Sequence, residues 1–149
     1  MRPEFRRLRL EQLERTLSPF FEVKDSPRPQ RGWLRAIREA TGVTVREMAK
    51  RLRKSPSIVI YLEKSEAEYR ISLGNLRAAA DALGCQLVYA LVPKNGSIQE
   101  LSEQRARAKA SENVRAVEHT MVLEDQAVGG LHEKIEEETK RLLQKDRNQ

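Results

Sequence analysis

The chain has 149 residues, of which 34% are charged, 39% apolar and only 5% aromatic. That balance suits helices with solvated faces better than a β-sandwich, and a single cysteine, Cys85, excludes an internal disulfide framework and a Cys-rich zinc site. No apolar run approaches the roughly 20 residues that span a bilayer. The charged N-terminus (MRPEFRRLRLEQ) lacks the pattern of a signal peptide, so a soluble cytoplasmic protein with no membrane contact is expected.

Taken in order, residues 3–17 set Phe5, Leu8, Leu13 and Leu17 on roughly one helical side, which predicts an amphipathic helix within an N-terminal segment 1–25. Ser26-Pro-Arg-Pro-Gln30 reads as a stiff linker, because each proline biases the residue before it toward extended backbone. Residues 31–84 predict a four-helix domain. Trp33, Leu34, Ile37 and Ala40 line its first helix, which stops at Gly42. Thr44 and Glu47 then form a T-x-x-E capping box, in which each side chain satisfies a backbone N–H at a helix start, with Met48, Ala49 and Leu52 as the apolar face. Ser55 and Pro56 open a third helix buried through Val59 and Leu62, and SEAEYRI (65–71) reads as a loop. Ser72 caps a fourth helix, whose Leu73, Leu76, Ala80 and Leu83 face inward before Gly84.

Cys85 to Pro93 (CQLVYALVP) is β-branched and aromatic. It predicts one β-strand over 86–92, with Leu87, Val88, Tyr89, Ala90 and Leu91 as its pairing residues. A lone strand has unpaired backbone groups, so a second copy of the chain is the expected partner, giving an antiparallel ribbon across a homodimer. Residues 97–149 predict a C-terminal helical region for a partner or for dimer contacts. It opens with Ser97 and Glu100, is anchored by Ile98, Leu101, Val114, Val117 and Met121, breaks at Gly129-Gly130 and resumes through Leu131, Ile135 and Leu142.

The informative stretch is Thr44 to Lys64, two short helices joined by a tight turn. Too short to bury themselves, they serve to present one helix at a fixed angle, which is the arrangement that places a recognition helix in a DNA major groove. Charge agrees with this placement: residues 1–96 hold 19 Lys/Arg against 11 Asp/Glu, and residues 97–149 hold 9 against 11. Arg46, Lys50 and Arg53 recur at i, i+4 and i+7, with Arg51 and Lys54 flanking them and Thr44 beside them, a stripe suited to phosphate. Base contacts would fall to Ser55, Ser57, Ile58, Ile60 and Tyr61. Bidentate purine recognition wants Arg, Gln or Asn, and none occurs between Ser55 and Leu62, so modest base discrimination is expected. His119, His132 and Cys85 lack partners at ligand or catalytic spacing, and no glycine-rich phosphate loop occurs. No enzyme activity, metal or cofactor is therefore expected.

Residues 32–64 resemble the phage-repressor-like (Xre/Cro) helix-turn-helix family, which implies a mainly α, lambda-repressor-like bundle. The family pairs an Arg of its first helix with a Glu at the end of its third, and Arg38 and Glu63 occupy those positions. The chain departs from the family in the turn, with Arg53 and Lys54 in place of a glycine and an apolar residue, and at the reading positions Pro56, Ile58 and Ile60, which are apolar here.

A wider resemblance, over RGWLRAIREATG, LEKSEAE, LRAAADALGCQLVYALVP and VEHTMVLEDQAV, is to the family called mobile mystery protein A. Its members are typically encoded beside a Fic-domain protein, and Fic domains transfer AMP to target hydroxyls and often act as toxins. The resemblance implies an antitoxin that represses its own operator in double-stranded DNA and binds a Fic-domain toxin. The [S/T]-x-x-x-E-[G/N] helix of many Fic inhibitors is absent, since the one Glu-Asn pair, Glu112-Asn113, has Ala108 four residues before the Glu. The alternatives are a plain helix-turn-helix repressor without a toxin, and a protein inhibitor with weak DNA binding.

Overall fold

The computed structural model describes residues 3–123 and 130–148. Among them are helices α1 (Pro3–Phe21), α2 (Trp33–Ala40), α3 (Val45–Leu52), α4 (Pro56–Ala67), α5 (Leu73–Ala82), α6 (Ile98–Leu123) and α7 (Leu131–Asn148). None is long and apolar enough to cross a membrane. The chain divides into two compact units, residues 25–89 and residues 1–24 with 90–149.

The 25–89 unit is built on Leu34, Met48, Ala49, Val59 and Ala79, all buried, with Val43, Val45, Leu52, Ile71, Leu76 and Leu83 packed around them. Helices of 8 to 12 residues are too short to persist alone, so this shared core holds them. Trp33 and Leu73, expected inside, stand 51% and 52% exposed. Arg38 takes an interior position instead, because Glu63 neutralises it there.

Segment 65–71 is not wholly a loop, since α4 continues to Ala67 with Ser65 and Glu66 buried. Their polarity is internal: the Glu66 carboxylate accepts from the N–H groups of Trp33 (3.0 Å) and Leu34 (3.2 Å), so it caps α2 from a distance. From the Pro-rich stretch, Arg28 donates to the carbonyls of Glu66 (3.0 Å) and Ala67 (2.9 Å). Its guanidinium lies 3.9 Å over the ring of Tyr69, which ends the helix with φ +59°.

The strand expected over 86–92 does not form, and no strand or sheet occurs among the described residues. Residues 85–93 carry no regular structure, and Val88, Tyr89 and Leu91 are 65%, 59% and 88% exposed. The composition of Leu87 to Leu91 reports a preference for extended backbone. A strand exists only where another pairs with it, and the elements among the described residues are helices whose backbone groups bond internally.

In the other unit, α1 packs on α6 and α7, which pack along each other. Of the α1 positions expected inside, only Leu17 is buried, while Phe5, Leu8 and Leu13 are exposed. The inward row runs Leu10, Glu14, Leu17, and the Glu14 carboxylate accepts from the Ile98 N–H at 2.9 Å, capping α6. The Ser97 hydroxyl accepts from the Glu100 N–H at 3.0 Å. On α6 and α7 the buried residues among those described are Ala106, Ala110 and Thr139, whereas Leu101 and Val117 are 50% and 54% exposed. Arg107 pairs with Glu136 (2.7 Å) and Lys134 with Glu118 (3.0 Å) across the two helices. Of the expected glycine break, Gly129 and the Met121 side chain lie outside the described residues; Gly130 has φ +101°.

Candidate nucleic-acid interface

The start of α3 is fixed by the Thr44–Glu47 box: the Thr44 N–H donates to Glu47 Oε2 at 2.7 Å, and the Glu47 N–H donates to Thr44 Oγ1 at 3.1 Å. The hydrogen bond from the Thr44 backbone, followed by that from its side chain, holds the Glu47 carboxyl below its ordinary pKa. Met48 and Ala49 are buried, which turns Arg46 and Lys50 outward on the opposite side.

The turn closes on Arg53, at φ 55° and ψ 41°. Its N–H donates to the Lys50 carbonyl (3.2 Å) and that of Lys54 to the Ala49 carbonyl (3.0 Å), the paired bonds of a left-handed helix stop. A side chain in that conformation costs about 1 kcal/mol relative to glycine. The arrangement keeps a cation, Arg53, at the tip of the turn.

Ser55 has the extended backbone of an N-cap, φ −76° and ψ 154°, but its hydroxyl hydrogen-bonds the hydroxyl of Ser57 at 3.0 Å rather than a backbone N–H. Pro56 fills the first helical position. Because Val59 and Leu62 point into the core, Ser57, Ile58, Ile60 and Tyr61 are turned out. Lys64, three residues beyond Tyr61, continues that exposed row; the same spacing that located Tyr61 would have found it.

The angle of α4 is set by Arg38. Its Nε donates to Glu63 Oε1 at 2.5 Å and its Nη2 to Glu63 Oε2 at 3.1 Å, while Nη1 reaches the Val43 carbonyl at 3.3 Å. One guanidinium thus ties α2, α4 and the approach to α3. The hydrogen bond with Glu63 raises the pKa of the arginine above its ordinary range. Arg51, expected beside the phosphate stripe, turns to the end of α5 and donates to the Ala82 carbonyl at 3.0 Å.

Arg28, Arg35, Arg38 and Arg70 have carboxylate partners within the unit. Among the described residues, no ion pair or side-chain hydrogen bond engages Arg46, Lys50, Arg53 or Lys54. Their charge faces water beside α4, the arrangement a polyanion would neutralise. Leu87, Val88, Tyr89, Ala90 and Leu91 fall in the irregular segment after α5. Also among the described residues, no three His, Cys, Asp or Glu side chains gather as metal ligands.

No curated protein and no solved structure matches the chain. Residues 34–89 match the helix-turn-helix family, so this part of the chain is an Xre/Cro-like helix-turn-helix domain, the module of DNA-binding transcription regulators.

Proposed function

We propose that the protein is an autorepressor that binds the DNA upstream of its own gene as a homodimer, and that it is the antitoxin of a Fic-domain AMP-transferase. The observation that supports operator binding is the set of cations, Arg46, Lys50, Arg53 and Lys54, that are unpaired among the described residues and flank an outward-turned α4. Thr44, beside them at the start of α3, adds a hydroxyl within the same phosphate-facing set. The exposure of Val88, Tyr89 and Leu91 supports self-association through apolar burial. The antitoxin half rests on the resemblance to mobile mystery protein A, with residues 97–149 as the toxin-facing region.

The test is titration of the purified protein against its upstream DNA and a scrambled duplex at two salt concentrations. Specific binding whose log K falls by about 0.9 per phosphate contact per decade of salt is expected. The pair Arg46→Ala and Lys50→Ala should shallow that slope by about two. Sedimentation showing a monomer at micromolar concentration would remove the homodimer. Co-expression with the neighbouring Fic-domain protein should suppress AMP transfer; undiminished transfer leaves a plain repressor.

A second reading, a protein inhibitor with weak DNA binding, is favoured by the apolar character of Ile58, Ile60 and Tyr61 on the exposed face. It predicts equal affinity for upstream and scrambled DNA.

A further inference from the structure

Building on the operator-binding reading, we infer that α4 reads the 5-methyl groups of thymine, with Ile58 and Ile60 as the specificity-determining residues. The core leaves these side chains no inward alternative. Val59 is fully buried and Leu62 is 8% exposed, so the helix is locked with Ile58 39%, Ile60 57% and Tyr61 63% exposed. The hydroxyl at the front of the helix, Ser57, is already hydrogen-bonded to Ser55 at 3.0 Å. Arg, Gln and Asn, which make bidentate contacts to purines, are absent between Ser55 and Leu62.

Charge decides what covers this apolar face. Arg46 and Lys50 on α3, Arg53 and Lys54 in the turn and Lys64 on α4 are exposed and unpaired among the described residues. An apolar patch rimmed by uncompensated cations fits a polyanion that presents small apolar groups. In the DNA major groove the apolar group on a base edge is the thymine methyl, while the phosphates supply the anions. The rim therefore positions the duplex, and the isoleucines distinguish A·T from G·C pairs by burying methyl groups.

The experiment compares two forms of the upstream duplex made by polymerase copying, one with thymine and one with uracil throughout. Neither carries methylated cytosine, so thymine is the source of any methyl effect. The uracil duplex should bind about fourfold more weakly for each methyl group that the protein buries, with an unchanged salt slope. The double variant Ile58→Ala with Ile60→Ala should lose affinity for the thymine duplex and bind both forms alike. Lys50→Ala should weaken both forms equally and keep their difference.

Equal binding of the two forms by the wild-type protein, with preference over scrambled DNA retained, would overturn the inference and leave operator binding standing. A thymine preference that survives in the isoleucine variant would also overturn it, because the methyl groups would then act elsewhere. Failure of the wild-type protein to prefer either upstream duplex over scrambled DNA would overturn the operator reading and this inference with it.

Discussion

A Cβ placed on Gly32 would lie 2.0 Å from Oε2 of Glu66. Gly32 has φ 84° and ψ 162°, a backbone region open in practice to glycine alone. The Glu66 carboxylate occupies the vacant side-chain position and from there accepts the first two N–H groups of α2. The residue missing at 32 and the acid present 34 positions later therefore make a single device, through which α4 caps α2.

Gly32→Ala should cost about 2–4 kcal/mol, combining backbone strain of about 1–3 kcal/mol with loss of the cap. In a Glu66→Ala background the same substitution should cost only the strain, since the clash has gone. A double-mutant cycle by urea denaturation measures this coupling, and strict additivity would show that the contact does not matter.

The Arg38–Glu63 pair gives a second expectation, because both side chains are largely buried, at 11% and 7% exposed. Arg38→Met should cost about 3–5 kcal/mol by leaving a buried carboxylate unpaired. Adding Glu63→Leu should recover much of that loss. If the double variant is as unstable as the single one, the packing of the arginine stem matters more than the charge.

Much of this domain was legible because its signals are local. The Thr44 box, the Ser72 cap and the buried row Met48, Ala49, Val59 and Leu62 each need only residues a turn or two apart. What was missed depends on distant partners. Glu66 reads as loop polarity until the α2 N-terminus is beside it, and Glu14 reads as surface charge until it caps Ile98. The buried apolar residues described on α6 are Ala106 and Ala110, which an expectation of large apolar residues passes over in favour of Leu101 and Val117. The segment from Leu87 to Leu91 misled in the opposite way, since β propensity is local but pairing is not. At the interface, the positions of Arg46, Lys50, Ile60 and Tyr61 follow from periodicity. The diversion of Arg51 to Ala82 and the bond between Ser55 and Ser57 do not.

Arg53 sets stability against function. Arg53→Gly relieves the left-handed strain and should raise stability by about 1 kcal/mol. The same change removes an exposed cation and should shallow the salt slope of DNA binding by about one. Thermal melts and salt titrations of one preparation would show both. A stabilised variant with an unaltered slope would place Arg53 off the phosphate backbone.

The depressed pKa of Glu47 has a pH consequence of defined sign. A carboxyl held below its ordinary 4.5 stabilises the fold above that value, and the contribution is lost as pH falls through the lower folded-state pKa. Glu47→Gln retains a hydrogen-bonding side chain but no charge. The variant should therefore be less stable than the wild type at neutral pH, and the difference should shrink steadily below about pH 4.5. Denaturation curves at neutral and acidic pH check this, and a difference that does not depend on pH would assign the effect to shape rather than ionisation.

The α6–α7 hairpin makes the last prediction, because its contact depends on small side chains. Ala110 is fully buried and Ala106 is 9% exposed one turn earlier, so the inward face of α6 carries little bulk at these positions. Enlarging such a position forces the backbones apart, and Ala110→Leu should destabilise by about 1–3 kcal/mol. Leu101→Ala, at a residue half exposed on the same helix, should change stability by no more than about 0.5 kcal/mol. Judged by hydropathy alone the order would be reversed, since one change adds apolar volume and the other removes it. Circular-dichroism melts of the two variants separate the possibilities: a harmless Ala110→Leu beside a damaging Leu101→Ala would mean that α6 turns a different face to α7.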